Sequence, residues 1–214
     1  MRFFLLLGVF FIGPLAAKKM ALPLSLQPEA LNEFADLSKA RQELIREALT
    51  VARKNKTLRY HFGGAQPSAG GFDCSGAMYY VLRKVGLKVP RTSAQQYVWI
   101  RDAGHLTKVD RSVRKVTHDV FRTLKPGDLL FWSGTYAPTD GRKVKITHVG
   151  MYLGTEKKDG RPVMISATKG RSYRGVQRDG FGVFDFKIPS AKSRSKFEGF
   201  GSPAGLDEKS SAEQ

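Results

Sequence analysis

The apolar residues of this chain change their spacing part-way along, and that change limits the folds open to it. Up to Gly104 they recur at helical intervals. Leu44, Ile45, Ala48 and Ala52 form one stripe, and Ala77, Met78, Val81, Leu82 and Val85 form another. Such spacing puts them on one helix face, which must be buried against a partner. From Lys125 onward the apolar runs are short and continuous. Asp128 to Trp132, Ile146 to Leu153 and Val163 to Ala167 are the clearest, with Gly182 to Ile188 and Phe197 to Phe200 weaker. The turns Lys125-Pro126-Gly127, Asp140-Gly141 and Asp159-Gly160 punctuate them. Helices first and a meandering sheet second define an α+β domain.

Boundaries follow from the breakers. Pro23 and Pro28 bracket an extended leader, and Glu29 to Lys54 reads as helix in two pieces joined near Ser38. Gly86 is a stop for the second helix, and the third starts near Ser93, with Ser93 and Gln96 as a capping box. The first residues read as a secretory signal over residues 1–17. Met1-Arg2 precedes an apolar run from Phe3 to Ile12, then Gly13-Pro14 and the small-residue site Leu15-Ala16-Ala17. That run is shorter than the roughly 20 residues that span a bilayer, so no transmembrane anchor is expected in the mature chain. The expected location is periplasmic or secreted. Lys18 to Gly201 reads as one domain with an N-terminal helical extension, and Ser202 to Gln214 as a disordered polar tail.

There are 36 Lys and Arg against 19 Asp and Glu, a net charge of +17. Such a field attracts polyanions: nucleic acid, an anionic envelope surface or an acidic wall polymer. The basic stretches Lys108 to Arg122, Arg142 to Lys145 and Lys169 to Arg178 lack the interleaved aromatics of a base-stacking platform and read as solvated surface. With an export signal, the expectation is no nucleic-acid partner. Paired cysteines and a His-Glu-x-x-His run are both missing, and no Gly-Lys-Ser/Thr follows the Gly-rich loop. Neither a metal site nor any other cofactor is expected.

The chain has one cysteine, Cys74, where the loop Gly63 to Gly71 gives way to the second helix. Taken alone, such a residue is a buried small hydrophobe or a reactive thiol. At a helix N-terminus the dipole favours thiolate, and free backbone N–H groups stand ready for an oxyanion. Asp73 is placed to cap that helix. A thiol nucleophile needs an imidazole nearby. His105 and His118 read as surface residues, and His61 lies in the loop before Cys74, placed to line the site. His148 opens the apolar strand Val149-Gly150-Met151-Tyr152-Leu153 and is the best-placed base.

Five blocks occur in order: Tyr60-His61-Phe62-Gly63-Gly64; Phe72-Asp73-Cys74-Ser75-Gly76; Pro90-Arg91-Thr92-Ser93 with Gln96; Leu124 to Trp132; and His148 to Gly154. Together they resemble the NlpC-type cysteine peptidases, papain-like enzymes that cut bacterial cell-wall peptides, over about Glu43 to Gly201. The resemblance implies a papain-like fold, with the cysteine at a helix N-terminus packed on a mainly antiparallel sheet. It implies that Cys74 attacks a peptide carbonyl to form a thioester, with His148 as base and the Cys74 N–H in the oxyanion hole. It places Tyr60 beside the pocket, Asp73 and Ser75 against the substrate peptide, and Arg91 and Gln96 at motif positions. The implied partners are peptidoglycan stem peptides, cut next to γ-D-glutamyl and diaminopimelyl residues. One position departs from the pattern. The family usually has a polar residue, often His, on the strand after the base, and here that position is Ser166. A hydroxyl accepts a hydrogen bond from an imidazole N–H but is shorter than His or Asn. A wall-binding module with little turnover, or an acyltransferase using the same thioester, fits the same residues.

Overall fold

The computed structural model describes residues 20–207. Residues 1–17, read from the sequence as a secretory signal, and the last seven residues of the tail lie outside the described residues. Three helices, α1 (Lys39–Lys54), α2 (Cys74–Lys84) and α3 (Ser93–Asp102), precede the main sheet. Two short strands, β1 (Ala65–Gln66) and β2 (Gly71–Phe72), pair in the loop before α2. The sheet contains β3 (Leu106–Lys108), β4 (Leu129–Ser133), β5 (Ile146–Thr155), β6 (Pro162–Tyr173), β7 (Val176–Asp185) and β8 (Lys196–Gly201). Its order is β3-β8-β4-β5-β6-β7, and every pair is antiparallel. This is the expected α+β arrangement, with Cys74 as the first residue of a helix packed on an antiparallel sheet. No helix among the described residues is long and apolar enough to cross a membrane.

The sheet is buried on both faces. Leu44, Ile45 and Leu49 of α1 and Met78, Val81 and Leu82 of α2 pack with Phe131, Val149, Met151 and Ile165 on one side. On the other, Leu130, Trp132, Tyr152 and Met164 meet Phe184, Phe186, Phe197 and Phe200. Two covered faces explain why β4 and β5 read as continuous apolar runs rather than alternating ones. The second cover is the segment from Val109 to Leu124, whose Phe121 ring lies 5.7 Å from Phe200 and 5.9 Å from Phe197. Its basic side chains conceal it in the sequence.

Several expectations shift in detail. The first piece of the N-terminal helix is two 3-10 turns, Pro28–Ala30 and Phe34–Asp36, which bury Pro28 and Phe34. The capping box of α3 belongs to Thr92 and Gln95, one residue before Ser93 and Gln96. Gln96 is instead buried, and its amide donates to the carbonyls of Ser75 and Pro90 at 3.1 and 2.9 Å. The tail from Ser202 is packed as far as it is described. Leu206 is buried, and Asp207 pairs with Arg41 at 2.8 Å.

β6 and β7 form one long hairpin through the basic stretch read as solvated surface. Its two-residue turn, Arg174-Gly175, has positive φ at both positions, 51° and 79°. One extra residue sits in β6 between Lys169 and Ser172, and Gly170 there takes φ 96°. Such a bulge bends its strand. The hairpin doubles back, so that the Arg174 N–H donates to Asp185 Oδ1 at its own base, 3.2 Å away.

Candidate active site

The first turn of α2 is anchored before any chemistry is considered. Asp73 Oδ1 accepts from the Gly76 N–H at 2.6 Å, which caps the helix as its sequence position implies. Gly76 has no room for a side chain, because a Cβ there would lie 2.0 Å from the Gly64 carbonyl oxygen. The loop therefore lies flat on the helix end. Arg91 ties the two together, donating to Asp73 Oδ2 at 2.8 Å, to the Ser75 hydroxyl at 3.1 Å and to the Gly63 carbonyl at 2.8 Å. Asp73, Ser75 and Arg91 thus hold the loop as well as lining the cleft beside Cys74. Replacing Asp73 by Ala is expected to cost about 2 kcal/mol, combining a lost cap with a half-buried guanidinium deprived of its carboxylate. A urea midpoint within error of wild type would contradict that assignment.

Cys74 is 7% exposed. Burial, and then the nearby Asp73 charge, push its thiol up to about 11. The backbone amides of Val149, Ser75 and Cys74 itself act in the opposite sense. The helix terminus was expected to lower this thiol, and desolvation outweighs it, because the dipole is worth about 1 kcal/mol while full burial of a charge costs several. At neutral pH the resting sulfur is therefore protonated. His148 is also buried. Burial, and then the positive charge of Arg171, hold its imidazole well below its ordinary range, so it is neutral. The two groups therefore rest as a protonated thiol and a neutral imidazole, the states of an acid and a base.

Ser166 is completely buried on β6 and sits where the sequence placed it. Its hydroxyl donates to the Val149 carbonyl at 2.8 Å and lies 3.3 Å from His148 Nε2. A hydroxyl has one proton. With that proton directed to Val149, a lone pair faces the ring, which selects the Nε2–H tautomer and leaves Nδ1 free to accept. The approach needs Gly150, since a Cβ at that position would lie 3.2 Å from the Ser166 Cβ. The Trp132 indole backs the imidazole, with ring centroids 5.4 Å apart.

Cys74 opens into a cleft of about 300 Å³ that Tyr60, Asp73, Ser75 and Arg91 also line. Tyr60 is fixed by Asp179 of β7, which accepts its backbone N–H at 3.0 Å. Burial, and then the Cys74 and Asp73 charges, raise its phenol well above the usual value, so it stays neutral. The rest of the lining includes Tyr136 and Arg142 from the connection between β4 and β5, and Thr147 at the start of β5. The Tyr136 ring stands edge-on to Phe62 at 6.0 Å across the cleft. Arg142 donates to both carboxylate oxygens of Asp140 and to the Ile146 carbonyl. The sequence marked this connection only by Asp140-Gly141 and gave no sign that it returns over Cys74. Of the other histidines, His61 is exposed and does not line the cleft, contrary to its sequence position. His105 lies 3.3 Å from the Ser202 carbonyl, and His118 caps the turn Asp119–Thr123. A larger cleft of about 650 Å³ runs between Arg114–Thr117 and Asp159–Pro162, with no nucleophile or imidazole in its walls. No cluster of His, Cys, Asp or Glu among the described residues is arranged to hold a metal ion.

A thiol at a helix N-terminus and a buried imidazole on the adjoining strand define a Cys/His protein of the α+β class. The chain belongs to the NlpC/P60 family, whose sequence model matches residues 57–181, more than half of its length. It is similar to the murein DD-endopeptidase MepH of Escherichia coli (strain K12), with 30% identity over 160 residues, 70% of this chain and 51% of that protein. It is also similar to the gamma-DL-glutamyl hydrolase of Bacillus subtilis (strain 168), with 35% identity over 104 residues, 48% of this chain and 20% of the relative. The chain thus spans about half of the first relative's length and a fifth of the second's. A solved NLP/P60 family structure from Staphylococcus aureus subsp. aureus Mu50 superposes on 85% of this chain and 43% of its own, with 24% identity and a TM-score of 0.47.

Proposed function

We propose that the protein is a cysteine peptidase of the cell envelope, periplasmic or secreted, that hydrolyses amide bonds in peptidoglycan stem peptides of the γ-D-glutamyl-diaminopimelate type. The observation that carries this reading is the contact of the Ser166 hydroxyl with His148 Nε2, which frees Nδ1 to act as base. In the first step Nδ1 takes the thiol proton of Cys74 as sulfur attacks the carbonyl carbon. The Cys74 N–H stabilises the oxyanion. The imidazolium then gives its proton to the departing amine, leaving a thioester. Water, deprotonated by the same Nδ1, releases the peptide acid and restores the thiol. The relatives' names support the substrate class, and the net charge of +17 suits carboxylate-bearing peptides and an anionic envelope.

The buried, protonated thiol favours one other reading, a wall-binding module with little turnover. Digestion of defined muropeptides, read by mass spectrometry, separates the two. The expected result is a pair of fragments whose masses sum to the substrate plus one water. Retention of the muropeptide without fragments would establish the module instead, and fragments carrying an added amine would make the protein an acyltransferase.

Ser166→Ala tests the orientation of the base. Without the hydroxyl the ring loses its tautomer preference, and kcat/KM is expected to fall about tenfold, near 1.4 kcal/mol, with KM little changed. A loss below about threefold would remove Ser166 from the site's working parts.

A further inference from the structure

Arg171 is a cation with no carboxylate of its own, stacked on the residue that backs His148. Its guanidinium carbon lies 4.4 Å from the centre of the Trp132 ring, on the indole that backs His148. The bulge at Gly170 bends the β6–β7 hairpin at this point. Arg171 makes no ion pair or side-chain hydrogen bond among the described residues, whereas its neighbour along the hairpin, Arg174, is tied to Glu156 and Asp159. A guanidinium with no partner, partly buried against an aromatic face, is an uncommon arrangement unless its charge is used where it sits.

We propose that Arg171 is a positioning residue for the Cys74–His148 pair, supplying fixed positive charge behind the two groups and pressing Trp132 onto the imidazole. This rests on the peptidase reading of the site. Arg171 does not line the 300 Å³ cleft, so it is placed to act on the reacting pair rather than on the substrate. Its field reaches both members, lowering His148 and interacting favourably with ionised Cys74.

The other charged and titratable groups around the pair come from every packed element. Asp73 on α2 opposes ionisation of the thiol, and Arg91 engages that carboxylate. Tyr60 lies in the loop before β1, and Tyr136 and Arg142 on the β4–β5 connection, with Arg142 bound to Asp140. None of these supplies an unengaged cation. Ser166 is a short, uncharged third member, and the positive charge of Arg171 favours ionised Cys74 while keeping His148 neutral.

Loss of a cation raises every titration beside it, so the signature is an upward displacement of both groups together. Arg171→Met keeps an apolar cover on Trp132 while removing the charge. Arg171→Lys keeps the charge without the planar stack. The probe is iodoacetamide alkylation of Cys74 from pH 6 to pH 10, a measurement that needs no turnover. Arg171→Met is expected to alkylate about fivefold more slowly than wild type at pH 8, as a charge several ångströms away at intermediate dielectric implies. Arg171→Lys is expected to stay within about twofold of wild type. In kcat/KM on a muropeptide, the acid limb of Arg171→Met moves to higher pH, because His148 protonates more readily.

Thermal unfolding confirms that each variant is folded, and if Arg171→Met does not fold, Arg171→Gln replaces it as the neutral variant. A folded neutral variant with the wild-type alkylation profile would overturn the proposal and leave Arg171 as packing. Failure of wild type to cut any muropeptide would overturn the peptidase reading alone, since the alkylation profile is read independently.

Discussion

Cys74→Ala is expected to end fragment release from muropeptides, a loss of at least about a thousandfold in kcat/KM. The variant keeps the cleft, the cap at Asp73 and the amides at the start of α2, so substrate binding should survive. What disappears is the sulfur atom on which the proposed thioester depends. Ser75, the nearest hydroxyl, is engaged with Asp73 and Arg91 and is no substitute. Cys74→Ser is expected to be nearly as inactive. An imidazole held well below its ordinary range is a weak base, strong enough to share a thiol proton in the transition state but poorly matched to an alcohol. The measurement is the initial rate of fragment appearance alongside binding of uncut muropeptide. Equal product from wild type and Cys74→Ala would end the cysteine mechanism.

The second large effect is on stability. Arg41, on α1, is 4% exposed and is the hub of the protein's polar core. It donates to the Pro126 carbonyl at 2.7 Å, to Asp128 at 3.0 Å, to both oxygens of Asp207 at 2.8 Å and to the Ser202 hydroxyl at 2.9 Å. These contacts pin α1 to the turn before β4 and to the segment after β8. Arg41→Met retains much of the volume but leaves Asp128 buried without its cation, and is expected to cost about 3–5 kcal/mol. The pH dependence carries the signature. Burial already raises Asp128 above the ordinary carboxyl value, with Arg41 opposing it. Removing Arg41 raises it further, so the variant is most penalised when the carboxyl must be charged. A carboxyl raised on folding loses stability as pH rises through its folded value. The deficit should therefore narrow as pH falls from neutral into the acid range. Asp207 reinforces this, because Arg41 holds it below its usual value in wild type, a contribution lost on acidification. Chemical denaturation at several pH values measures both, and a deficit independent of pH would show that Asp128 is not the cause.

The helices, and the positions of Cys74 and His148 within the fold, were legible because their signals are local. An apolar stripe, a Gly-rich loop ahead of Cys74 and a strand opened by His148 each occupy a few consecutive residues. Ser166 was read by position on the next strand, and its hydroxyl lies 3.3 Å from His148 Nε2. The features that escaped depend on long-range partners. Arg41 is one more arginine on a helix until Asp128 and Asp207 meet it. The Val109–Leu124 cover has Phe121 surrounded by basic residues, and its burial depends on phenylalanines from β8 and beyond β7. The basic stretch of the β6–β7 hairpin lies largely at the surface, as read, but its fold-back was not legible because a single extra residue, not a composition change, produces it. The thiol was misjudged in direction, since a helix terminus can be read from sequence whereas the depth of burial cannot.

The sulfur and the imidazole come from opposite halves of the chain, α2 and β5, elements that come together only where helices dock on sheet. Contacts within the helical half are local, whereas the sheet draws together distant segments and forms more slowly. On the proposed mechanism, a chain part-way through folding would carry a nucleophile with no base, and competence would arrive only once α2 and β5 have docked.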